Sequence, residues 1–291
     1  MQCLEDWKIP LDDDLVVKLA AGASDALDAP SAIIEAVQHE FAPVLRELND
    51  GRGFIILDRL ALERYSEAEI RAIYWRLGHC LGRPIEQNIE GTLLYDVIDT
   101  GQVVGAGARF SVTNAESTFH TDAAFADEPP ELVGLLCLKT AKSGGESQLA
   151  SAYTLHDALS EEHRAPLFDD FHFDRRGQFQ PGEPKLKVAP VFNRDHRGLE
   201  TRYLDYYIIE GHRQAGDDLT PTQLAALSAV RDILSRGEVQ VAFTLEPGQI
   251  LFTNTRWILH NRTAYIDHEA PNERRHYMRL WLKQPPEARW T

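Results

Sequence analysis

Hydrophobic positions in the N-terminal third predict two helices around one strand. Residues 30–48 place apolar side chains at helical spacing, and Asn-Asp-Gly directly afterwards is a typical helix stop. The apolar run GFIILDRL that follows predicts a short buried strand. A second helix is predicted at 66–82, because Ser66 and Glu69 have the spacing of an N-terminal capping box.

The rest of the chain is dominated by short strand-like runs. We predict strands near 92–97, 132–139, 147–150, 239–244, 249–254 and 275–283 and helices at 151–161 and 219–236. Three prolines and mixed charge predict a loop-rich insertion at about 175–200. Many short strands flanked by helices are typical of an α+β fold with a β-sandwich or open-barrel core.

Composition restricts the partners that the chain is expected to have. Of its 291 residues 43% are hydrophobic, which is typical of a globular protein, and its net charge of −15 argues against nucleic acid as a partner. No apolar run is long enough to span a bilayer, and the acidic start does not resemble a signal peptide. The three cysteines lack CxxC spacing. We therefore expect a cytoplasmic protein without a membrane partner, for which a homo-oligomer is compatible with the sequence.

The tripeptide His-x-Asp occurs twice, at His120–Asp122 and at His172–Asp174. Residues two apart on a strand face the same side, so either pair could bind one metal ion. In the second pair, phenylalanines alternate with the polar residues, and a half-buried strand is the favoured interpretation there. The first pair precedes a double proline and a buried apolar run, and it is the stronger metal candidate.

A third ligand must come from elsewhere in the chain, and the candidate is His260, which ends an apolar strand that follows Gly248. Taken alone, a histidine at such a position is more often structural. Two histidines and one carboxylate leave three open positions in an octahedral shell, as non-haem Fe(II) requires for a co-substrate and O₂. Zinc hydrolases use the same donor set, although the H-E-x-x-H motif that often supplies it is absent. Both metals remain candidates on the residues alone.

Two arginines follow in the last predicted strand. Arg275 and Arg279 are four residues apart, and so face the same side of an extended strand together with Tyr277. A guanidinium that faces inward beside an apolar strand costs desolvation energy unless an anion pairs with it. The anion could be an acidic side chain in a buried salt bridge or the carboxylate of a ligand.

Three motifs in this order resemble the TauD/TfdA family of Fe(II)/2-oxoglutarate-dependent dioxygenases, in its clavaminate-synthase-like branch. They are FHTDAAF…PPELVGLLCLKTAKSGGES, LHNRTAY and RRHYMRLWL, and the resemblance covers about residues 85–285. It implies a double-stranded β-helix, that is, a jelly-roll or cupin-like core at about 86–285. A helical and strand region at about 1–85 would precede this core in a single catalytic domain, 1–291.

The resemblance also implies a role for individual residues. The metal triad would be His120, Asp122 and His260, with Arg275 on the distal carboxylate of 2-oxoglutarate and Ser147 touching the same co-substrate. Four residues would border the substrate: Arg279, Arg262, Asn114 and Glu116.

The implied activity is oxidation, most readily hydroxylation, of an unactivated C–H bond of a small molecule by Fe(II), 2-oxoglutarate and O₂, with release of succinate and CO₂. Halogenating relatives replace the carboxylate of the triad with a small residue, so Asp122 favours hydroxylation, desaturation or a related oxidation over halogenation. An amino-acid-like molecule or a specialised-metabolite intermediate is the expected substrate. The alternatives are a zinc-dependent hydrolase on the same triad and a non-catalytic jelly-roll binding protein.

Overall fold

The computed structural model describes residues 4–23, 27–102 and 110–284. The α-helices of these residues are α1 (Asp13–Ala20), α2 (Ser31–Val37), α3 (Ala42–Asn49), α4 (Glu67–Leu81), α5 (Ala152–Ala158), α6 (Glu161–Arg164), α7 (Asp205–Ala215) and α8 (Pro221–Leu234). The strands are β1 (Lys8–Pro10), β2 (Phe54–Asp58), β3 (Arg83–Pro84), β4 (Leu94–Val97), β5 (Leu132–Lys139), β6 (Ser143–Gly144), β7 (Ser147–Ser151), β8 (Asp170–Asp174), β9 (Leu186–Pro190), β10 (Phe192–Asp195), β11 (Gly198–Thr201), β12 (Gln240–Phe243), β13 (Ile250–Asn254), β14 (Ile258–Arg262), β15 (Tyr265–Ile266) and β16 (His276–Lys283).

Two sheets face each other and form the jelly-roll core. The major sheet has the order β1-β2-β13-β5-β16-β3, with β4 also paired to β16, and the minor sheet has the order β12-β7-β14. Side chains from both sheets share one apolar cluster between them, including Ile56 and Leu251 of the major sheet and Leu149 and Ile258 of the minor sheet. The predicted α+β fold with a double-stranded β-helix is therefore confirmed.

Strand β5 explains why the core strands appear in the sequence as continuous apolar runs. Leu132 and Leu136 face the N-terminal helices, and Cys137 faces the minor sheet. Both faces of the major sheet are thus covered, so apolar side chains are needed at successive positions. The N-terminal helices bury the outer face of the sheet whose inner face forms one wall of the site.

The helix predicted at 30–48 is interrupted. It consists of α2, a 3₁₀ turn at Gln38–Phe41, and α3, in which Pro43 lies in the first turn. Proline has no N–H group to donate within a continuous helix, so it is tolerated where a helix begins. The predicted helix at 66–82 agrees with α4, including the capping box of Ser66 and Glu69.

The segment at 175–200 is not loop-rich over its whole length. Only its first part, up to residue 185, lacks helix and strand, whereas β9, β10 and most of β11 occupy the remainder. Strand β9 pairs with β8, in which Phe171 and Phe173 are fully buried and His172 faces the other side. The half-buried strand expected at His172–Asp174 is therefore confirmed. Its partner, β9, was not predicted, because the prolines of this segment indicated a loop.

Two further findings concern the cysteines and candidate membrane-spanning helices. Cys80 and Cys137 are buried free thiols, and Cys3 lies outside the described residues. Among the helices that the structure describes, none has both the length and the apolar content needed to cross a bilayer.

The packing at Gly134 in the middle of β5 gives a stability test. A Cβ atom there would lie 2.6 Å from a ring carbon of Phe252 and 2.7 Å from the Tyr74 hydroxyl, both fully buried. We expect Gly134→Ala to lower the free energy of unfolding by about 1–3 kcal/mol, because overpacking forces neighbouring groups to shift. Urea-induced unfolding measures this change.

The matched control is Gly237→Ala, since a Cβ atom at Gly237 has no heavy atom within 4 Å. We expect it to be neutral or to raise stability by about 0.4–1 kcal/mol through the unfolded chain. Equal stability of the two variants would contradict the close approach of β5, β13 and α4.

Candidate active site

The two histidines of the candidate triad are joined by their backbones. His260 lies in β14, and the N–H groups of His120 and His260 each donate to the carbonyl of the other residue at 2.9 Å. Their ring centroids lie 4.3 Å apart as a result. The segment that carries His120 thus extends the minor sheet beyond β14 by one antiparallel bridge.

Asp122 completes the cluster from a buried position. Its Oδ1 atom lies 3.7 Å from Nε2 of His120 and 3.9 Å from Nε2 of His260. The indole N–H of Trp281 donates to Oδ2 at 2.8 Å, and Arg279 Nη1 lies 3.3 Å from Oδ1. Because Trp281 occupies Oδ2, the carboxylate presents Oδ1 to the two imidazoles.

The triad has the protonation state that metal binding requires. Burial lowers the pKa of His120 and lowers that of His260 to about 3, so both rings are neutral near pH 7. Burial alone would raise the pKa of Asp122, but Arg279 and the two histidines hold it down to about 2. The Nδ1 atom of His120 lies 2.9 Å from the Thr118 carbonyl, which only accepts. Nδ1 therefore carries the proton, and Nε2 keeps its lone pair for a metal.

The donor set fits a divalent transition metal. One ligand atom from each of His120, Asp122 and His260 lies within 4.8 Å of the others. Two neutral imidazoles with one carboxylate on one side of a metal match the arrangement that non-haem Fe(II) uses, and zinc accepts the same donors.

Arg275 and Arg262 form a positively charged pair, and the charge of Arg262 acts on His120 of the triad. Their guanidinium carbons lie 5.2 and 4.7 Å from the ring centroid of Tyr265, and that of Arg275 also stacks over Tyr277 at 3.9 Å. Arg275 is only 4% exposed, and its Nη1 atom has no acceptor among the described residues. Burial and the neighbouring Arg275 lower the pKa of Arg262 to about 10. Two adjacent cations that form no close ion pair with a described residue favour an anionic ligand.

Ser147 lies next to the arginine pair. It is buried at the start of β7 and pairs with Arg262 across the two strands. The preceding Gly144 and Gly145 have φ values of +72° and +75°. A Cβ atom at Gly144 would lie 2.3 Å from the Ala264 carbonyl, so the turn requires glycine there. The glycines of the SGGES motif therefore bring β7 and its serine close to the segment after β14.

Arg279 lines a pocket that opens at the triad. Its Nε donates to the Gln87 side chain at 2.8 Å, and its guanidinium stacks on Trp281 at 4.7 Å. Gln87, Arg279 and Trp281 line this pocket together with His120 and Asp122, and we call it the triad pocket. An acidic side chain was one of the two partners expected for Arg275 and Arg279. Asp122 is such a partner for Arg279, but not for Arg275.

The other three residues predicted to border the substrate lie away from the triad pocket. Arg262 donates to the backbone carbonyls of Thr113 and Ala115 and stays beside Arg275. The Asn114 side chain is exposed, and Glu116 accepts from Asn261, which is on the opposite face of β14 from His260. The alternation of side chains along β14 therefore separates Glu116 from the triad.

The structure also brings His212 and Asp217 to His172, a cluster that no sequence spacing indicated. His212 already uses both ring nitrogens, because Nδ1 donates to the Asp217 carbonyl at 2.7 Å and Nε2 accepts the His172 backbone N–H at 3.1 Å. A metal would have to displace one of these bonds. We therefore interpret the cluster as a structural link between β8 and α7.

Sequence reasoning missed Trp281 and Gln87. Trp281 is two residues after Arg279 on the same strand, so its period-2 position could have indicated that it faces the triad. Gln87 is in an irregular segment, where no periodicity predicts the direction of a side chain.

Comparisons with known proteins agree with this geometry. Residues 18–281 match the family described as taurine catabolism dioxygenase TauD, TfdA family. FR-33289 synthase of Streptomyces rubellomurinus is 30% identical over 264 residues, which is 88% of this chain and 76% of that protein.

Solved structures extend the likeness to the fold. Asparagine oxygenase in complex with Fe(II), 2S,3S-3-hydroxyasparagine and succinate has a TM-score of 0.73 at 22% identity, over 95% of this chain and 93% of that one. The non-haem iron oxygenase OrfP, with Fe, succinate and (3S)-hydroxy-L-Arg, has a TM-score of 0.70 at 14% identity, over 96% and 94%. With the family match across most of its length, the chain belongs to the TauD/TfdA family of Fe(II)/2-oxoglutarate-dependent dioxygenases.

Proposed function

We propose that this dioxygenase hydroxylates an unactivated C–H bond of a small, amino-acid-like molecule, with conversion of 2-oxoglutarate and O₂ to succinate and CO₂. The products bound to asparagine oxygenase and OrfP, a hydroxyasparagine and a hydroxyarginine, support the substrate class. Fe(II) bound by His120, Asp122 and His260 would supply the O₂ chemistry. The N-terminal helices pack on the jelly roll, which supports a single catalytic domain for 1–291.

The observation that carries this proposal is the buried guanidinium of Arg275, whose Nη1 atom has no acceptor among the described residues. A dicarboxylate whose distal end meets Arg275 would provide the missing anion, and its other end would reach the metal. Ser147 pairs with Arg262 across β7 and β14, and Arg262 shares the Tyr265 ring with Arg275, so we assign both to the co-substrate and not to the substrate. Tyr277 and Tyr265 hold the arginine in place and keep water away from it.

We assign the substrate to the triad pocket and its carboxylate to Arg279. Nε of Arg279 binds Gln87 and Nη1 binds Asp122, whereas Nη2 has no acceptor among the described residues. Arg279 is thus fixed in direction and retains a donor for the ligand. The proposal does not extend to Asn114 and Glu116, whose side chains lie off the wall of that pocket.

Replacement of Arg275 tests the co-substrate assignment. We expect Arg275→Gln to raise the Kd for 2-oxoglutarate by about 100-fold, because removal of one member of a buried charge pair costs about 2–5 kcal/mol. Anaerobic titration calorimetry with a redox-inert divalent metal measures the Kd. Arg274→Gln is the matched control, since Arg274 is the exposed neighbour, and its Kd should equal that of the parent. Equal affinity of the two variants would refute the assignment.

Replacement of Asp122 tests the metal centre. Asp122→Ala should abolish 2-oxoglutarate-dependent succinate formation and lower the Fe(II) content after anaerobic reconstitution, because the carboxylate is one of three donors. A chelator-and-refill series with Fe(II) and Zn(II) separates an oxygenase from a zinc hydrolase. An Asp122→Ala protein as active as the parent would exclude the proposed function.

His172→Ala is the matched control for the metal, because it alters the other His-x-Asp motif. We expect the parent to bind one equivalent of metal and this variant to keep it, since His212 is saturated by backbone groups. A second equivalent in the parent that is lost in His172→Ala would show that the β8–α7 cluster is itself a metal site.

A further inference from the structure

The turn after β8 adds a second arginine to the wall of the triad pocket. Arg176 lines this pocket together with Arg279 and Asp122. Its backbone has a φ of +50° and donates its N–H to the Asp174 carboxylate at 2.8 Å. The Gln178 side chain accepts the Ile89 N–H at 3.2 Å, which ties the same turn to the segment that carries Gln87. The turn therefore has a fixed position over the pocket.

The Arg176 side chain is oriented but not saturated. Its guanidinium carbon lies 5.4 Å and 5.7 Å from the rings of Tyr206 and Tyr207 on α7, and the side chain is 17% exposed. Nη1 lies 3.5 Å from both the Asp174 carboxylate and the Tyr206 hydroxyl, which is long for a hydrogen bond. Nε and Nη2 have no acceptor within the described part of the chain. The planar fork thus keeps two donors for an oxyanion.

The charges around the pocket favour an anion at this position. Asp122 is the acidic residue of its wall, and Arg279 and the two histidines already contact that carboxylate. Around Arg176 itself, the Asp174 carboxylate lies 3.5 Å from Nη1, and Glu210 on α7 is close enough for the charges of the two side chains to interact. Glu210 is already paired with Arg213, so its charge is partly neutralised. Within the described part of the chain, Arg176 and Arg279 have no common neighbour among their contacts, so they can bind separate groups of one ligand.

We propose that Arg176 is a specificity-determining residue that binds an acidic group of the substrate separate from the carboxylate assigned to Arg279. The substrate is then an amino-acid-like molecule with an additional oxyanion, a carboxylate or a phosphate, in its side chain. This inference rests on the proposed function. The additional oxyanion is a requirement on the substrate that neither the metal triad nor the proposed co-substrate residues impose.

The test uses four probes of defined charge on the full-length protein loaded with a redox-inert metal and 2-oxoglutarate. L-glutamate and O-phospho-L-serine carry an acidic side chain, and L-glutamine and L-serine are their neutral counterparts. We expect at least one acidic probe to bind about tenfold or more tightly than its neutral counterpart. The probe with the larger ratio identifies the oxyanion as a carboxylate or a phosphate.

Arg176→Gln should remove this preference and leave the Kd for 2-oxoglutarate unchanged, and Arg176→Lys should restore part of the preference. Arg64→Gln is the control, because Arg64 is an exposed arginine that pairs with Asp13 and does not line the triad pocket. Equal or absent binding of acidic and neutral probes to the parent, or a preference that survives in Arg176→Gln, would overturn the inference. Failure of the parent to bind 2-oxoglutarate would instead refute the proposed function.

Discussion

The buried charge of Asp122 is the constraint on which the arrangement of the site depends. A carboxylate that is 5% exposed must be surrounded by donors and cations, and here these come from distant parts of the chain. Trp281 and Arg279 approach from β16 of the major sheet, and His260 approaches from β14 of the minor sheet. Residues of the two sheets therefore meet at this carboxylate, and the triad pocket opens beside it.

The arginines of the site differ in how far their charge is neutralised. Arg262 and Arg275 stack around Tyr265 and form no close ion pair with a described residue. Arg279 is attached to Asp122 and Gln87 and so is partly neutralised. Under the proposed function, the dicarboxylate co-substrate would meet the stronger, buried positive charge, and the substrate would meet the weaker one together with the turn that carries Arg176.

The sequence predicted the core better than its periphery. Strands such as β5 and β16 are apolar on successive residues because both sheet faces are covered, so their runs are unmistakable. The order of three motifs indicated the triad and Arg275, since His120 and His260 have no local signal that links them. The structure brings the triad together, whereas the role of Arg275 stays a prediction. The strands at 186–201 and the meeting of His172 with His212 depend on tertiary pairing. The break at Pro43 has a local signal in the proline itself, but the helical spacing on both sides concealed it. The direction of the Arg176 side chain could not be predicted, because an irregular segment has no periodicity.

The reciprocal backbone bonds between His120 and His260 have a consequence for the time at which the centre forms. The two residues are 140 positions apart, so their contact closes a long loop and carries a large entropic cost before any donor atoms meet. During synthesis, His260 is added 140 residues after His120, so the growing chain cannot complete the triad before then. The three donors therefore cannot bind one metal ion together until this long loop has been made and closed.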